Sequence, residues 1–304
     1  MKRLIPNPIL WLTCAVLFAL SAGTSAQPGP SLSVSYDFFP TSKLADPIPG
    51  TFTEDLKVRV ATLNAEFSLA PIIRSQGKTI LVNTLSYHRF DLDYTHWDNA
   101  QGGNRIENTQ GIEYTFVLIR QLSEKWNMTA VATPGLYSDF KDKLSYEDFN
   151  LQGAVVFGRQ HSKNLSFGFG AAYSLKYGEA LPLPLLILQW ADGARWKADF
   201  FLPMHAELWY GISPKVELGL AARVRGSQYH GSPERYLVGN PQMRYSVVTV
   251  GPSIKAHLSK KLHLTVDGGV TALRRFEFFD GDHKEISLDL KNSAFVKAGI
   301  QIGG

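Results

Sequence analysis

The chain has 304 residues, with 31 lysines and arginines against 27 aspartates and glutamates, giving a formal charge of +4. That near balance is no footprint for nucleic acid. Its one cysteine, Cys14, lies in a segment expected to be removed, which excludes disulfides, thiol chemistry and cysteine-based zinc sites from the mature chain. Aromatic residues reach 12%, and glycine and tyrosine are plentiful.

The first 26 residues read as a signal peptide. Lys2 and Arg3 precede an apolar run from Ile9 to Leu20, and small residues follow from Ser21 to Ala26. The run is shorter than the roughly 20 residues of a spanning helix. Cleavage after Ala26 leaves residues 27–304 as one domain, with 29 basic and 27 acidic residues, a charge of about +2. A lipoprotein reading fails at Cys14, because Thr13 precedes it and apolar sequence continues after it. No later run reaches about 18 apolar residues, so no helical span is expected. The longest, Leu181 to Leu188, contains Pro182 and Pro184.

A short pattern punctuates the rest. Leu122-Ser123-Glu124-Lys125-Trp126 returns as His161-Ser162-Lys163-Asn164-Leu165, as Ile212-Ser213-Pro214-Lys215-Val216 and as Leu258-Ser259-Lys260-Lys261-Leu262. A looser copy runs from Arg74 to Ile80. The serines at 75, 123, 162, 213 and 259 lie 48, 39, 51 and 46 positions apart. Each copy sits between stretches that alternate apolar and polar residues, the signature of a tight turn repeated on one side of a sheet. Their lysines suit lipid headgroups better than a specific ligand.

Period-two alternation is clean in many segments. Val216, Leu218, Leu220, Ala222 and Val224 alternate with Glu217, Gly219, Ala221, Arg223 and Arg225. Leu262 to Val270, Leu165 to Tyr177 and Ala294 to Ile302 behave alike. Such sets line opposite faces of a strand. Twelve strands are expected, near 31–40, 55–70, 78–94, 109–121, 125–137, 148–160, 165–177, 195–212, 215–228, 244–257, 261–273 and 288–302. Pro184 to Trp190 is a further candidate, and Trp196 to Ile212 holds one phase for 17 residues across Pro203. If that segment crosses twice, the count becomes fourteen.

Longer loops rich in Asp, Asn, Gly and Pro fill the alternate connections: Thr41 to Thr53, Thr95 to Asn108, Ser138 to Glu147, Tyr229 to Gln242 and Arg274 to Glu285. Short turns at one end and long loops at the other predict an all-β, antiparallel, up-and-down transmembrane barrel in a bacterial outer membrane, with periplasmic turns and outer loops. Twelve long strands make a barrel too wide for an apolar filling, so a water-filled or charge-laced lumen is expected. Tyr87, Tyr94, Trp97, Trp126, Tyr137, Tyr173, Tyr177, Trp190, Trp196, Tyr210 and Tyr245 fall near strand ends, where interfacial girdles belong.

The signal peptide, the serine–lysine turns, the glycine-rich strand Ser166 to Ala172 and the middle segment Leu181 to Trp190 with Trp196 to Pro203 resemble an uncharacterised family of bacterial outer-membrane β-barrel proteins. The resemblance spans the mature chain and implies fold and location, with no molecular activity attached. Many such barrels end in an aromatic residue read by the barrel-assembly machinery, whereas this chain ends Ile302-Gly303-Gly304, with Phe295 nearby.

The residues expected to line the lumen are Glu113, Lys176, Glu217, Arg223, Arg225, Lys255, Asp267 and Lys297. A porin-like barrel for small solutes is the leading expectation, with outer-membrane lipid and the assembly machinery as partners and no cofactor. A lipid-directed barrel enzyme is the alternative, through Ser86 with His88, or through His205 beside Asp199 and Glu207. Such same-face pairs arise readily by chance in alternating strands. A structural or adhesive barrel presenting its loops is the third reading. Asp91, Asp93, His96, Asn99 and Asn104 supply oxygen-type ligands without calcium-loop spacing, so they read as a polar loop. Gly168 and Gly170 lack the following helix of a phosphate loop.

Overall fold

The computed structural model describes residues 29–47, 52–97, 106–174, 181–232, 241–281 and 283–303. The signal segment 1–26, Lys176, Tyr177, Asn99 and Asn104 lie outside these.

The strands are β1 (Ser31–Lys43), β2 (Lys57–Ser68), the short β3 (Ile72–Arg74), β4 (Thr79–Thr95), β5 (Asn108–Gln121), β6 (Trp126–Ser138), β7 (Phe149–Ser162), β8 (Leu165–Ser174), β9 (Leu181–Ala191), β10 (Trp196–Leu202), β11 (His205–Ser213), β12 (Val216–His230), β13 (Pro241–His257), β14 (Leu262–Asp280), β15 (His283–Asp289) and β16 (Ala294–Gly303). Neighbours in sequence pair antiparallel, and β16 pairs with β1 to close the barrel. β14 pairs with β16 along its lower half and with β15 along its upper half, so β15 and β16 fill one wall position. With β3 an appendage of β4, the wall has fourteen positions. The extra two over the count of twelve are β9 and the split of 195–212 into β10 and β11.

The serine turns explain their own recurrence. The hydroxyl oxygens of Ser123, Ser162, Ser213 and Ser259 accept hydrogen bonds from the backbone N–H groups of Lys125, Asn164, Lys215 and Lys261, two residues on. A side-chain oxygen thereby replaces the sheet partner that the reversing backbone lacks. Asp192 does the same between β9 and β10, accepting from the N–H groups of Ala194, Arg195 and Trp196 at 2.7, 2.8 and 3.0 Å. All these turns lie at one end.

The opposite end is uneven. β10 and β11 have only 7 and 9 residues, and a tight turn joins them where Met204 N–H bonds Phe201 O at 2.8 Å. β12, β13 and β14 run to 15, 17 and 19 residues. The stretch expected as a loop from Arg274 to Glu285 is instead the β14–β15 hairpin, continuing the ladder with β13 up to Pro241–Asp280. β11 pairing with β12 stops at His205–Arg223. Beyond it β12 leans across the barrel, and His230 forms a parallel bridge with Ser138 of β6.

That crossing makes a smaller ring of β12, β13, β14, β15, β1, β2, β4, β5 and β6 at the loop end. Its inside is largely apolar: Phe39, Val58, Val60, Phe90, Leu92, Tyr137, Tyr229, Met243, Tyr245, Val247, Phe276 and Leu288 are all buried there, with a buried cation, Arg274, 5.3 Å over the Phe39 ring. Phe90 and Tyr245 rings lie 4.8 Å apart, and Tyr245 and Phe276 4.7 Å. A full fourteen-strand barrel is too wide for this, but the pinched ring is narrow enough for side chains to meet. The lumen expected to be polar is therefore largely apolar at this end, Arg274 excepted. Tyr137 and Tyr245, expected in an interfacial girdle, belong to this core, with Tyr94 and Trp97 packed against it. Trp126, Trp190, Trp196 and Tyr210 do gather at the turn end, where the Trp196 and Tyr210 rings lie 4.9 Å apart.

Candidate functional site: the inner polar belt

Alternation decides which residues enter the barrel. On β12, Leu218 and Leu220 are exposed, so Glu217, Arg223 and Arg225, on the opposite phase, face inward. Register carries this phase to every neighbour: Arg223 lies opposite Thr249, Ser253 opposite Asp267, Asp267 opposite Lys297, and Lys297 opposite Asp37. The outward positions are apolar on strand after strand. Tyr36, Leu85, Phe116, Leu151, Phe169, Leu186, Leu208, Leu220, Ile254, Val266 and Val296 are all exposed. The molecule thus has a greasy outside and, below the apolar ring, a polar inside.

Inside, side chains join into a belt that touches nearly every wall position. Arg223 sits at its centre, with Nε 2.8 Å from Glu207 and Nη1 2.9 Å from Asp267. Arg225 Nη1 lies 2.5 Å from Asp37 Oδ2, and Lys297 Nζ lies 3.6 Å from Asp37 Oδ1. Ser253 donates its hydroxyl to Asp267, and Thr62 donates to Asp37 at 3.2 Å. Lys197 pairs with Glu217 at 2.6 Å. Lys255 Nζ stands 3.7 Å over the Trp209 ring, and Trp209 Nε1 donates to Glu207 at 2.9 Å.

The far wall carries the belt on with fewer charges. His88 Nδ1 lies 2.9 Å from Asn64 Oδ1, and its Nε2 is 3.5 Å from Glu113. Tyr137 donates its hydroxyl to Glu113 and receives Gln152 Nε2 at 2.8 Å. Ser174 donates to Gln152 at 3.3 Å. Gln189 donates to Asp199 at 3.4 Å, and Asp199 lies 3.6 Å from His205.

Seven of the eight residues expected to line the lumen fall in this belt: Glu113, Glu217, Arg223, Arg225, Lys255, Asp267 and Lys297. Lys176 lies outside the described residues. Sequence reasoning missed Asp37, Lys197, Gln152 and Gln189. Asp37 had a legible signal, because Ser31, Ser33, Ser35 and Asp37 form the polar half of the β1 alternation.

The expected catalytic pairings form differently. His88 Nδ1 bonds Asn64, and its Nε2 lies 3.5 Å from Glu113. His205 faces Asp199 and the Phe201 ring, whose centroid is 5.8 Å from its own. Among the described residues, no group of three or more His, Cys, Asp or Glu side chains is placed to hold a metal ion.

Residues 22–303 match the family described as a domain of unknown function (DUF6268). No curated protein matches. Among solved structures, a deltaS2 mutant of the TodX monoaromatic hydrocarbon channel is 11% identical, with 95% of this chain and 93% of that one covered at a TM-score of 0.46. The KdgM porin is 7% identical, covering 89% and 98%, at 0.36. The translocator domain of the autotransporter NalP from Neisseria meningitidis is 11% identical, covering 95% and 92%, at 0.38. These are likenesses of barrel architecture alone.

Proposed function

This chain belongs to the DUF6268 family, a domain of unknown function, and from that premise we propose an outer-membrane barrel that passes small solutes. The observation that carries the membrane reading is the inversion of polarity. Large apolar side chains stand exposed on the outward face of strand after strand, far beyond the few hundred Å2 of apolar patch that a soluble monomer tolerates. Lipid would cover that face, and the assembly machinery would place it there.

The inner belt is the selectivity element of this reading. Arg223, Arg225, Lys197, Lys255 and Lys297 are interleaved with Asp37, Glu207, Glu217 and Asp267. Close alternation of sign cancels the field along the axis, so discrimination between cations and anions is weak. The Arg225–Asp37 pair and the apolar ring narrow the passage, so unitary currents are small.

Single-channel recording in planar bilayers tests this. The wild type gives small, weakly selective steps, and Asp37→Ala combined with Arg225→Ala enlarges them. Silence from both proteins at every voltage sinks the pore reading. The apolar ring at the loop end favours a second reading, a structural barrel whose solid outer end presents loops, and that silence is what it expects. The lipid-enzyme reading through His88 or His205 is less favoured, because the partners seen for these rings are Asn64, Glu113 and Asp199.

A further inference from the structure

The wall is not equally tall all round, and its lowest point has a distinct chemistry. β10 has 7 residues, about 23 Å along the strand and less once tilted, against an apolar band of about 25 Å. The Pro203–Met204 turn therefore ends the wall at hydrocarbon depth. On one side β9 continues above the last pair, Leu186–Leu202. On the other, Val224 N–H bonds Met204 O at 2.8 Å, and β12 then leans away towards β6. Among the described residues this leaves a notch in the wall between β9 and β12.

The notch is apolar on both faces. Leu186, Leu202, Leu208 and Leu220 are exposed on its outer side. On the inner side, Val156, Ala172, Leu185 and Ile187 form a separate buried cluster with Phe201 packed on it. Below, the belt resumes at His205–Asp199 and Arg223–Glu207. Around the belt the inward residues are charged or hydrogen-bonding. Among the described residues, the notch carries apolar side chains from the outer face, round its low rim, to the inside.

Resting on the membrane placement argued above, we propose that this notch is a lateral portal for lipid-soluble small molecules. They pass between the bilayer and the lumen past Phe201, which seals the inner cluster. An apolar solute meets matching surface along that route, whereas an ion would have to shed water with nothing to replace it.

Spin labels on single cysteines at Leu185→Cys, Leu186→Cys and Ile187→Cys test this in the full mature barrel in vesicles. Oxygen concentrates in lipid, and a nickel chelate stays in water. An intact wall gives strict period-two behaviour, with oxygen favoured only at 186. The portal predicts oxygen favoured at all three, and several-fold over an inward label on the far wall, Thr62→Cys. Naphthalene, as the apolar probe, is expected to lower oxygen collisions at 185 and 187 more than at 186. Period-two alternation, exclusion of oxygen from 185 and 187, or equal lowering by naphthalene at all three overturns the proposal. Ala172→Cys on the facing strand replaces either reporter if that variant fails to fold. Failure of the membrane placement itself reads out separately, as loss of the oxygen preference at 186.

Discussion

Arg225 and Asp37 lie on strands that never pair, β12 and β1, yet their side chains meet at 2.5 Å. Between them along the wall stand β13, β14 and β16, so the contact spans the interior. It ties the leaning strand β12 to the strand that closes the barrel. It also sits just below the apolar ring, where Phe39 continues β1 two residues on and Tyr229 continues β12 four residues on.

Asp37 balances two cations, Arg225 and Lys297, with its side chain only 3% exposed. Asp37→Ala leaves both cations without that partner. A buried pair broken on one side costs about 3–5 kcal/mol. The double variant Asp37→Ala with Arg225→Ala is expected to recover part of that loss, because the stranded charge goes too. Urea titration of the barrel in vesicles measures both, and equal stability of the single and double variants would argue against the pairing.

Much of this architecture was legible in the sequence, and the gaps have physical causes. Period two gave the strands and the inward cations, because a closed sheet puts alternate residues on opposite faces. The β10–β11 turn was legible only as an alternative, through Pro203, because Phe201 and His205 pair directly. Their spacing of four keeps the parity, so alternation runs through the turn unbroken. The turn at Asp192 escaped the serine pattern because a carboxylate plays the hydroxyl's part. The pinch between Ser138 and His230 is a contact between segments far apart in sequence, and local alternation carries no record of it. Tyr137 and Tyr245 were misplaced for that reason: only the pinch turns a strand-end tyrosine into a core residue.

Two adjacent glycines should respond oppositely to alanine. Gly269 has φ +154°, a backbone that side chains avoid, and a Cβ there would strike Val250 O. A Cβ at Gly268 meets nothing closer than Phe295 O at 3.8 Å. Gly269→Ala is expected to cost about 1–3 kcal/mol in backbone strain, with the clash in addition. Gly268→Ala is expected to fold as the wild type does. Folded yield, read from heat-dependent gel mobility, distinguishes them, and the same yield for both would refute the close approach of β13 and β14.

The crossing of β12 ends in a polar latch. His230 Nδ1 lies 3.0 Å from Asp148 Oδ1, and Asp139 N–H bonds His230 O at 3.2 Å. Burial pushes the Asp148 carboxyl up, but hydrogen bonds from Ser138, the Ser145 backbone and His230 outweigh it and hold it below the usual range. A depressed carboxylate contributes stability above its unfolded value of about 3.9, and that contribution fades as pH falls through the lower folded value. Asp148→Ala is expected to loosen the β12 tip by about 1–3 kcal/mol, the cost of orphaning buried donors. Faster amide exchange at Asp139 checks it. With the intrinsic pH dependence of exchange divided out, protection at Asp139 should fall with acid in the wild type and stay constant in the variant.

At the turn end, Asp192 gives a sharper pH test because it is a local cap. The hydrogen bond from Ala194 N–H lowers its carboxyl most; burial pushes it up, and the bonds from Trp196 and Arg195 help outweigh that and hold it below the usual range. The sign follows: the turn keeps its full support above the ordinary carboxylate value and loses it only as pH drops through the depressed one. Asp192→Ala removes three acceptor contacts, so protection at Ala194, Arg195 and Trp196 is expected to fall at neutral pH and, with the intrinsic pH dependence of exchange divided out, to lose its acid step. Asp192→Ser is the informative partner, since serine fills the equivalent role at Ser123, Ser162, Ser213 and Ser259. It is expected to restore slow exchange at neutral pH while removing the acid step. Serine behaving like alanine would mean that the repeated turns owe their shape to the flanking strands, with the capping oxygen incidental.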